Sequence, residues 1–380
     1  MKKIIALILL CSSVLALFSC RKNKETEYEP VPSTAEEAMV VMTMEIDGQR
    51  YNVKYELYRA LFLNYKSSVD GGDSSVWSGE NKDEYIAKID SMILDRVTEI
   101  YAAFAVCKRI GFDVYSDSVD DEIKEIIKIS VEGGSYGGRV ISGFGSYDAY
   151  LNALKEANLN YSVQELMLRY ELATQAINKY YIGTVDPNDL TLNMTIGSIQ
   201  YTKEDVLGFY NSDDCAILLR ARLPKLVSDS PLEDAEKLKG KLTEAANSSA
   251  DLTERHNKVY IAIAHSGWFP DAGELESGYV LGRYSEDRSY YGAMSDAVFS
   301  IGIGDVSECF EVVTEYEDSY YVVYKTVKSN EHFEENYETI KYVYLLNYVG
   351  EIVYGTADTL RSSVAYTSFL ENLDHSKISM

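Results

Sequence analysis

The stretch from Gly278 to Val327 constrains the fold of this chain more than any other part of it. It opens with a short run typical of a strand, which closes at Gly282, and continues through one helical turn over residues 293–299. Two runs of strand-forming residues follow, 306–313 and 319–327, and an acidic turn joins them. Because two such runs joined by a short turn form an antiparallel hairpin, the pattern predicts a compact α+β unit of strand, helix and hairpin.

Composition indicates a globular protein with an acidic surface. The chain has 380 residues, of which 46% are hydrophobic and 25% charged, so it has room for two or three domains with sizeable cores. The net charge of −24 argues against a nucleic-acid partner, because phosphate binding depends on clustered Lys and Arg. The 32 tyrosines suit a surface that binds varied polypeptides, although the same residues could equally border the core.

The N-terminus is typical of a lipoprotein. Lys2 and Lys3 precede an apolar run that closes at Leu17-Phe18-Ser19-Cys20, where a small residue stands before a cysteine. We therefore predict that residues 1–19 are a lipoprotein signal peptide and that Cys20 carries lipid and anchors the protein to the cell membrane on its extracytoplasmic side. Residues 20–40 are predicted to be a charged, proline-containing tether. A plain signal peptide or an uncleaved anchor is the alternative.

Residues 41–205 are predicted to form a mostly helical lobe. A hairpin is indicated around Asp47-Gly48, and a long helix from Asn81 has apolar residues three or four positions apart, with Gly111 placed to end it. The glycine-rich residues 132–145 lack the Gly-Lys-Ser/Thr ending of a phosphate-binding loop and are predicted to be a mobile loop. Further helices are predicted over residues 55–66, 118–131 and 146–157 and from Ser162 to about Tyr181.

The second half of the chain adds two strong local signals. Residues 216–223 are predicted to be a strand, and Ser230-Pro231 begins a helix that extends to about Ala246. Residues 253–264 could be helix or strand. Residues 334–373 are predicted to be one long or broken helix, whose apolar part is too interrupted to span a bilayer and must be covered by protein.

Few residues have the spacing of a catalytic or metal site. None of the four histidines has a partner at metal-ligand spacing, and there is no Gly-x-Ser-x-Gly motif, so no metal and no cofactor is predicted. Cys107, Cys215 and Cys309 have no Cys-x-x-Cys spacing, and Cys107 is predicted to be a buried apolar residue. Whether any pair of the three forms a disulfide stays open.

Two sets of motifs resemble one family. The segment after residue 278 resembles the second half of a parvulin-type peptidyl-prolyl isomerase domain. The hairpin, the tyrosine-rich helix and the Gly71-Gly72-Asp73 loop with Trp77 resemble the N-terminal chaperone lobe of PrsA/SurA-like foldases, particularly those of clostridia-type bacteria. The parvulin resemblance rests on Gly278, Leu281-Gly282-Arg283-Tyr284, Met294-Ser295-Asp296-Ala297-Val298-Phe299, Gly304-Asp305-Val306-Ser307-Glu308 and Tyr320-Tyr321-Val322-Val323-Tyr324-Lys325.

The resemblance implies a topology. A parvulin-like domain with an antiparallel sheet would occupy residues 212–330, inserted after the helical chaperone lobe of residues 41–205. Residues 332–373 would form a C-terminal helix that packs on the N-terminal lobe. The fold class is accordingly predicted to be α+β, with a helical SurA/PrsA-like lobe and an inserted antiparallel sheet domain.

The resemblance also implies a site. A parvulin pocket combines two histidines, an acidic residue or a cysteine, and apolar Met and Phe walls. Here the first-strand histidine position falls on Leu223 and the last-strand position on Tyr321, while the walls fall on Met294 and Phe299. These four residues are predicted to form a peptide-binding pocket. Asp271 falls on the acidic position and is the one candidate catalytic residue, so isomerase activity is expected to be weak or lost.

The predicted function is that of a lipid-anchored extracytoplasmic foldase or chaperone that binds unfolded secreted polypeptides. An active prolyl isomerase with a non-histidine pocket is one alternative. A ligand-binding or adhesin lipoprotein that reuses the fold is the other. The sequence leaves the clients and the oligomeric state open.

Overall fold

A computed structural model describes residues 28–70, 77, 79–136, 139–183, 198–286, 288–313 and 318–378. The fold is α+β, as predicted, and it divides into two compact units. Unit 1 comprises the described residues among 1–195 and 353–380, and unit 2 those among 196–352. The predicted signal peptide, Cys20 and the Gly71-Gly72-Asp73 motif lie outside the described residues.

The helices and strands are numbered in chain order. They are β1 (Val40–Ile46), β2 (Gln49–Lys54), α1 (Tyr55–Asp70), α2 (Lys82–Arg109), α3 (Asp117–Glu132), β3 (Gly134–Tyr136), β4 (Arg139–Ile141), α4 (Tyr147–Glu156), α5 (Tyr161–Tyr181), α6 (Lys203–Asn211), β5 (Cys215–Pro224), α7 (Pro231–Asn247), α8 (Leu252–Ser266), α9 (Ala272–Ser277), β6 (Tyr279–Gly282), α10 (Arg288–Ser300), β7 (Phe310–Val313), β8 (Asp318–Lys325), α11 (Asn330–Glu335), α12 (Tyr337–Ser362), β9 (Ala365–Tyr366) and α13 (Ser368–Glu371). Within the described residues, no helix combines the length and the apolar character that crossing a membrane requires.

Unit 1 contains a small sheet in which the two ends of the unit meet. Strands β1 and β2 form the predicted hairpin, and Asp47 and Gly48 occupy the left-handed region that a two-residue turn of this kind requires. The other side of β1 pairs with β9, which places Met42 opposite Tyr366. The sheet order is β2-β1-β9, so no strand among the described residues pairs with the outer side of β2, which is called the free edge.

The helices of unit 1 follow the predicted apolar spacing. Helix α2 buries the stripe that includes Ile89, Ile93, Val97 and Ile100, and Gly111 follows its end with φ of +80°. Helices α3, α4 and α5 enclose an apolar cluster around the buried ring of Tyr150.

One loop prediction needs correction in unit 1, and part of the predicted tether forms contacts there. Within the glycine-rich residues 132–145, Gly134–Tyr136 and Arg139–Ile141 pair as the antiparallel strands β3 and β4 beside α3. A side chain at Gly143 would overlap the backbone of Gly133, so only glycine allows this close approach. The structure describes residues 28–40 of the predicted tether, 20–40. Within it, the ring of Tyr28 lies 5.0 Å from that of Tyr147, and Glu37 forms an ion pair with Arg59 at 2.7 Å.

Unit 2 is built on a four-stranded antiparallel sheet of order β6-β5-β8-β7. The predicted first strand is β5, and the predicted sequence of strand, helix and hairpin is β6, α10, β7 and β8. Residues 253–264, which the sequence left open, lie in helix α8. One face of the sheet, with Leu219 and Ala221, packs against α7 and α8, while the other, with Leu218 and Val323, packs against α10.

The boundaries of unit 2 differ from the predicted domain of residues 212–330. Phe209 of α6, Phe333 of α11 and Ile340 of α12 join one apolar cluster with Ile217 of β5. The unit therefore begins before α6 and ends inside α12, at residue 352. The first part of the predicted C-terminal segment, 332–373, packs in unit 2, and only its remainder belongs to unit 1 with the N-terminal residues.

Candidate functional site

The α10 face of the unit 2 sheet carries part of the predicted pocket. Met294 and Tyr321 are almost fully buried there, 0% and 3% exposed, in one cluster. Side chains alternate between the two faces along a strand, and Tyr321 lies opposite Arg222 in the β5–β8 register. Leu223 lies opposite Tyr320, so it belongs to the other face of the sheet. The structure thus separates Leu223 from Tyr321.

Phe299 lies away from Tyr321 on the same face. It packs against the cluster, and its ring is 4.4 Å from the guanidinium carbon of Arg283 and 5.4 Å from Nζ of Lys325. Lys325 follows Tyr321 by four residues in β8, which corresponds to about 13 Å along an extended strand. The four predicted pocket residues therefore do not surround a single cavity.

Asp271, the candidate catalytic residue, caps helix α9. Its Oδ1 accepts a hydrogen bond from the backbone N–H of Glu274 at 3.1 Å, and its side chain faces solvent. A carboxylate used in this way stabilises the first turn of the helix. The acidic residue that enters the α10 face is Glu274, three positions later.

A buried ion pair occupies the centre of this face. Nε of Arg220 donates to Oε1 of Glu274 at 2.7 Å and Nη2 donates to Oε2, and the two side chains are only 10% and 19% exposed. The guanidinium carbon lies 3.5 Å from the ring centre of Tyr279 and 5.9 Å from that of Tyr321, and Nη1 lies 3.7 Å from Sδ of Met294. Burial alone would lower the pKa of Arg220, but the bonds to Glu274 outweigh it and raise that pKa.

Tyr279 extends this network. Its hydroxyl donates to the carboxylate of Glu286, and burial, followed by the negative charge of Glu286, raises the pKa of the phenol. The tyrosine therefore stays protonated at physiological pH. The sequence reasoning missed Arg220, Glu274 and Tyr279. Arg220 lies in the predicted first strand and Glu274 three residues after Asp271, but no local sequence pattern indicates that these two residues contact each other.

Two histidines of unit 2 lie near each other, outside the α10 cluster. Nε2 of His332 donates to the carbonyl oxygen of Ser277 at 2.7 Å, and its Nδ1 lies 3.2 Å from the hydroxyl of Tyr210. Nδ1 of His256 lies 2.8 Å from Oγ1 of Thr326. Burial lowers the pKa of both, and the charge of His332 lowers that of His256 further. Neither ring is among the residues that surround Tyr321.

Comparison with known proteins gives structural similarities alone. No protein-family model matches the chain, and no curated protein matches it either. Among solved structures, the chain is similar to the foldase protein PrsA of Streptococcus pneumoniae, with 14% identity, 83% of this chain and 92% of that chain covered, and a TM-score of 0.23.

Two further solved structures are similar to the chain. They are the foldase PrsA of Lactococcus lactis, with 13% identity, 88% and 97% covered and a TM-score of 0.23, and the peptidylprolyl isomerase PrsA of Bacillus anthracis, with 16% identity, 70% and 96% covered and a TM-score of 0.24. At these values no function follows from the likeness.

Proposed function

We propose that this protein is an extracytoplasmic foldase or chaperone that binds unfolded secreted polypeptides, and that its parvulin-like unit isomerises X-Pro bonds poorly or not at all. The proposal of weak or absent isomerisation rests on the ion pair of Arg220 and Glu274, which lies on the face where the resemblance places a substrate pocket. The element order of strand, helix and hairpin, β6, α10, β7 and β8, supports the parvulin resemblance itself.

The chemistry of isomerisation explains why activity should be low. The barrier to rotation of a peptide bond is about 18–20 kcal/mol, and a catalyst must hold the imide twisted beside preorganised polar groups. Here Arg220 and Glu274 bond to each other, Leu223 lies on the other face of the sheet, and the phenol of Tyr279 donates to Glu286. Loss of one such donor typically lowers a rate by about 10² to 10³.

Exposed apolar side chains support polypeptide binding by unit 2. Leu226 and Val227, in the single turn after β5, are 97% and 58% exposed, and Leu232 at the start of α7 is 50% exposed. Contiguous exposed apolar residues mark interaction sites on soluble proteins. Of the four predicted pocket residues, only Phe299 is partly exposed, so a direct contact with a client is proposed for Phe299 and not for Met294, Leu223 or Tyr321.

A refolding assay with two clients tests the proposal. One client is limited by an X-Pro isomerisation and the other by aggregation. We expect suppressed aggregation of the second client and no acceleration of the proline-limited phase of the first. The double variant L226S/V227S should lose much of the suppression, while the matched variant S248A/S249A, in the loop between α7 and α8, should keep it.

Two outcomes would favour the alternatives. A turnover efficiency like that of an ordinary parvulin, lost in Asp271→Ala, would establish the active isomerase. Binding of a single partner in a peptide-library profile, with no effect on either client, would favour the adhesin or ligand-binding lipoprotein, whereas a chaperone should bind many aromatic-rich segments.

The location at the membrane is proposed from the sequence alone. The motif Leu17-Phe18-Ser19-Cys20 predicts that residues 1–19 are removed and that Cys20 is lipidated. Fractionation of cells that express Cys20→Ala should find the protein released from membranes, while Cys11→Ala, within the signal peptide, should stay anchored. Membrane attachment of a processed Cys20→Ala protein would contradict the lipid anchor.

A further inference from the structure

Strand β2 of unit 1 leaves main-chain groups turned away from its sheet. In a hairpin with a two-residue loop the closing pair, here Ile46 and Gln49, exchanges backbone hydrogen bonds. From there, non-hydrogen-bonded and hydrogen-bonded pairs alternate along the two strands. The backbone N–H of Glu45 donates to Oγ of Ser363 at 2.9 Å on the side of β1 away from β2, as the alternation requires. The N–H and C=O groups of Arg50 and Asn52, the partners of Glu45 and Thr43, therefore face the free edge.

A cleft of about 430 Å³ runs along this edge. The rings of Tyr51 and Tyr101 lie in it, with centres 5.2 Å apart, and the hydroxyl of Tyr101 donates to the carbonyl oxygen of Asn52 at 3.1 Å. That hydrogen bond places the outward carbonyl of Asn52 at the cleft. Helix α5 contributes further lining residues, among them Val163 and Leu166, so the edge of β2 lies along a space of the size that binding sites for small ligands usually have.

The inner charged groups of the cleft already have partners within unit 1. Glu56, only 4% exposed, accepts from Asn160 at 3.0 Å and from Ser162 at 3.1 Å. Arg169 donates to Glu165 at 2.5 Å and lies 5.1 Å above the ring of Tyr115. Nζ of Lys54 also lies 3.5 Å from Oε1 of Glu56, so Glu56 and Arg169 each already have an oppositely charged partner.

The outer side of the edge is basic. Side chains alternate along β2, so Tyr51 and Val53 are buried while Arg50, Asn52 and Lys54 are exposed. Arg50 and Lys54 thus form a local basic rim on a chain with a net charge of −24, in which Lys54 is half-exposed and paired with Glu56 at 3.5 Å. A strand laid along β2 would turn alternate side chains toward the tyrosines and the intervening ones toward this rim.

We propose that this cleft binds an extended polypeptide segment that pairs with β2 as a further strand, with apolar side chains facing Tyr51 and Tyr101 and acidic side chains beside Arg50 and Lys54. Strand addition to a free sheet edge takes its affinity from main-chain hydrogen bonds and its specificity from alternate side chains. The site lies in unit 1 and does not depend on the function proposed for the α10 face.

Fluorescence anisotropy on the full mature chain tests the inference. The probe is an end-blocked labelled peptide of alternating glutamate and valine or phenylalanine. Controls are a peptide of the same composition with its acids in one block, and the alternating peptide with alternate amides N-methylated on the edge that would pair. We expect micromolar binding of the alternating peptide and at least tenfold weaker binding of both controls.

Variants of the edge strand provide the second arm. Asn52→Pro removes the outward N–H, which an edge strand tolerates, and should weaken binding at least tenfold, while Asn52→Ala keeps the amide and should bind within about threefold of wild type. Arg50→Glu should weaken binding of the acidic peptide. Circular dichroism establishes that each variant is folded, and the N-methylated peptide tests strand pairing on the unaltered protein.

Three results would overturn the inference. They are equal binding of the N-methylated and parent peptides, no difference between the alternating and block peptides, and no binding by any of them. The S248A/S249A variant, in the loop between α7 and α8 of unit 2, should leave this binding unchanged. Peptide binding here without suppression of aggregation would count against the proposed chaperone function alone.

Discussion

Gly350 of α12 packs directly against Tyr284, so that a Cβ at the glycine would overlap the carbonyl oxygen of Tyr284 and lie 3.0 Å from its Cβ. One turn earlier, Oδ1 of Asn347 accepts a hydrogen bond from the backbone N–H of Tyr284 at 2.8 Å. The backbone after β6 is thus held against the helix by a hydrogen bond and a close approach together. Within unit 2, this fixes the segment between β6 and α10.

Replacing Gly350 should therefore destabilise unit 2. Gly350→Ala forces backbone apart, and overpacking of this kind typically costs about 1–3 kcal/mol, with the upper end expected where backbone must move. At Gly355 of the same helix an alanine methyl group would meet nothing within 4 Å, so Gly355→Ala should stabilise the protein by about 1 kcal/mol through helix propensity. Urea unfolding followed by circular dichroism measures both. Equal effects of the two substitutions would contradict the close packing at Tyr284.

Breaking the ion pair on the α10 face should cost far more than breaking an exposed pair. Arg220→Ala leaves Glu274 charged and only 19% exposed, and loss of one partner of a buried pair typically costs about 3–5 kcal/mol. The control is Lys203→Ala, whose pair with Glu334 is 53% and 62% exposed and should contribute less than about 1 kcal/mol. Replacing both partners, as in R220M/E274L, should recover much of the loss in the free energy of unfolding. If Arg220→Ala changes stability no more than Lys203→Ala does, the pair has no structural role.

Stability should fall in mild acid because of His332. Burial lowers its pKa in the folded protein, against weaker raising effects of the bond to Ser277 and the charge of Glu335, so the unfolded chain binds the proton more readily. The stability contributed by neutral His332 is complete above the unfolded pKa of about 6.5, and it is lost as the pH falls toward the lower pKa of the folded protein. His332→Gln should reduce the loss of thermal stability between pH 7 and pH 5. The solvent-exposed His265→Gln is the control and should follow wild type.

Removal of the C-terminal residues should loosen unit 1. A chain that stops at residue 362 loses the pairing of Met42 with Tyr366, the contact of Tyr55 with Phe369 at 5.2 Å between ring centres, and the 2.8 Å hydrogen bond between Tyr58 and His375. Met42 and Tyr58, now 2% and 1% exposed, would then meet water. We expect increased binding of an apolar dye and faster proteolysis between residues 40 and 60. A truncated protein as resistant as the full chain would show that β1 does not need β9.

Short sequence patterns, such as helix caps and turn residues, are the basis for most of the helices and strands that were predicted correctly. Ser230 is the N-cap of α7 and Pro231 its first residue, as predicted, and Asp47-Gly48 set the turn of the first hairpin. Such signals act over three or four residues, which is why they can be read from one sequence.

The pocket and the boundaries depend on contacts that no local pattern contains. Arg220 and Glu274 are 54 positions apart, and the pairing register decides that Leu223 lies on the opposite face from Tyr321. An apolar residue at the end of a strand looks the same whichever face it occupies. Likewise, the apolar residues of α12 do not reveal that the two units divide within that helix.

The pairing of β9 with β1 also sets an order of events for a chain made from its N-terminus. Unit 2 is one continuous stretch and can fold as soon as residue 352 has emerged, whereas the sheet of unit 1 waits for Ala365 and Tyr366. Until they arrive, β1 is an unprotected edge that other newly made chains could join. The sheet of unit 1 is therefore completed by residues that follow all of unit 2 in the chain.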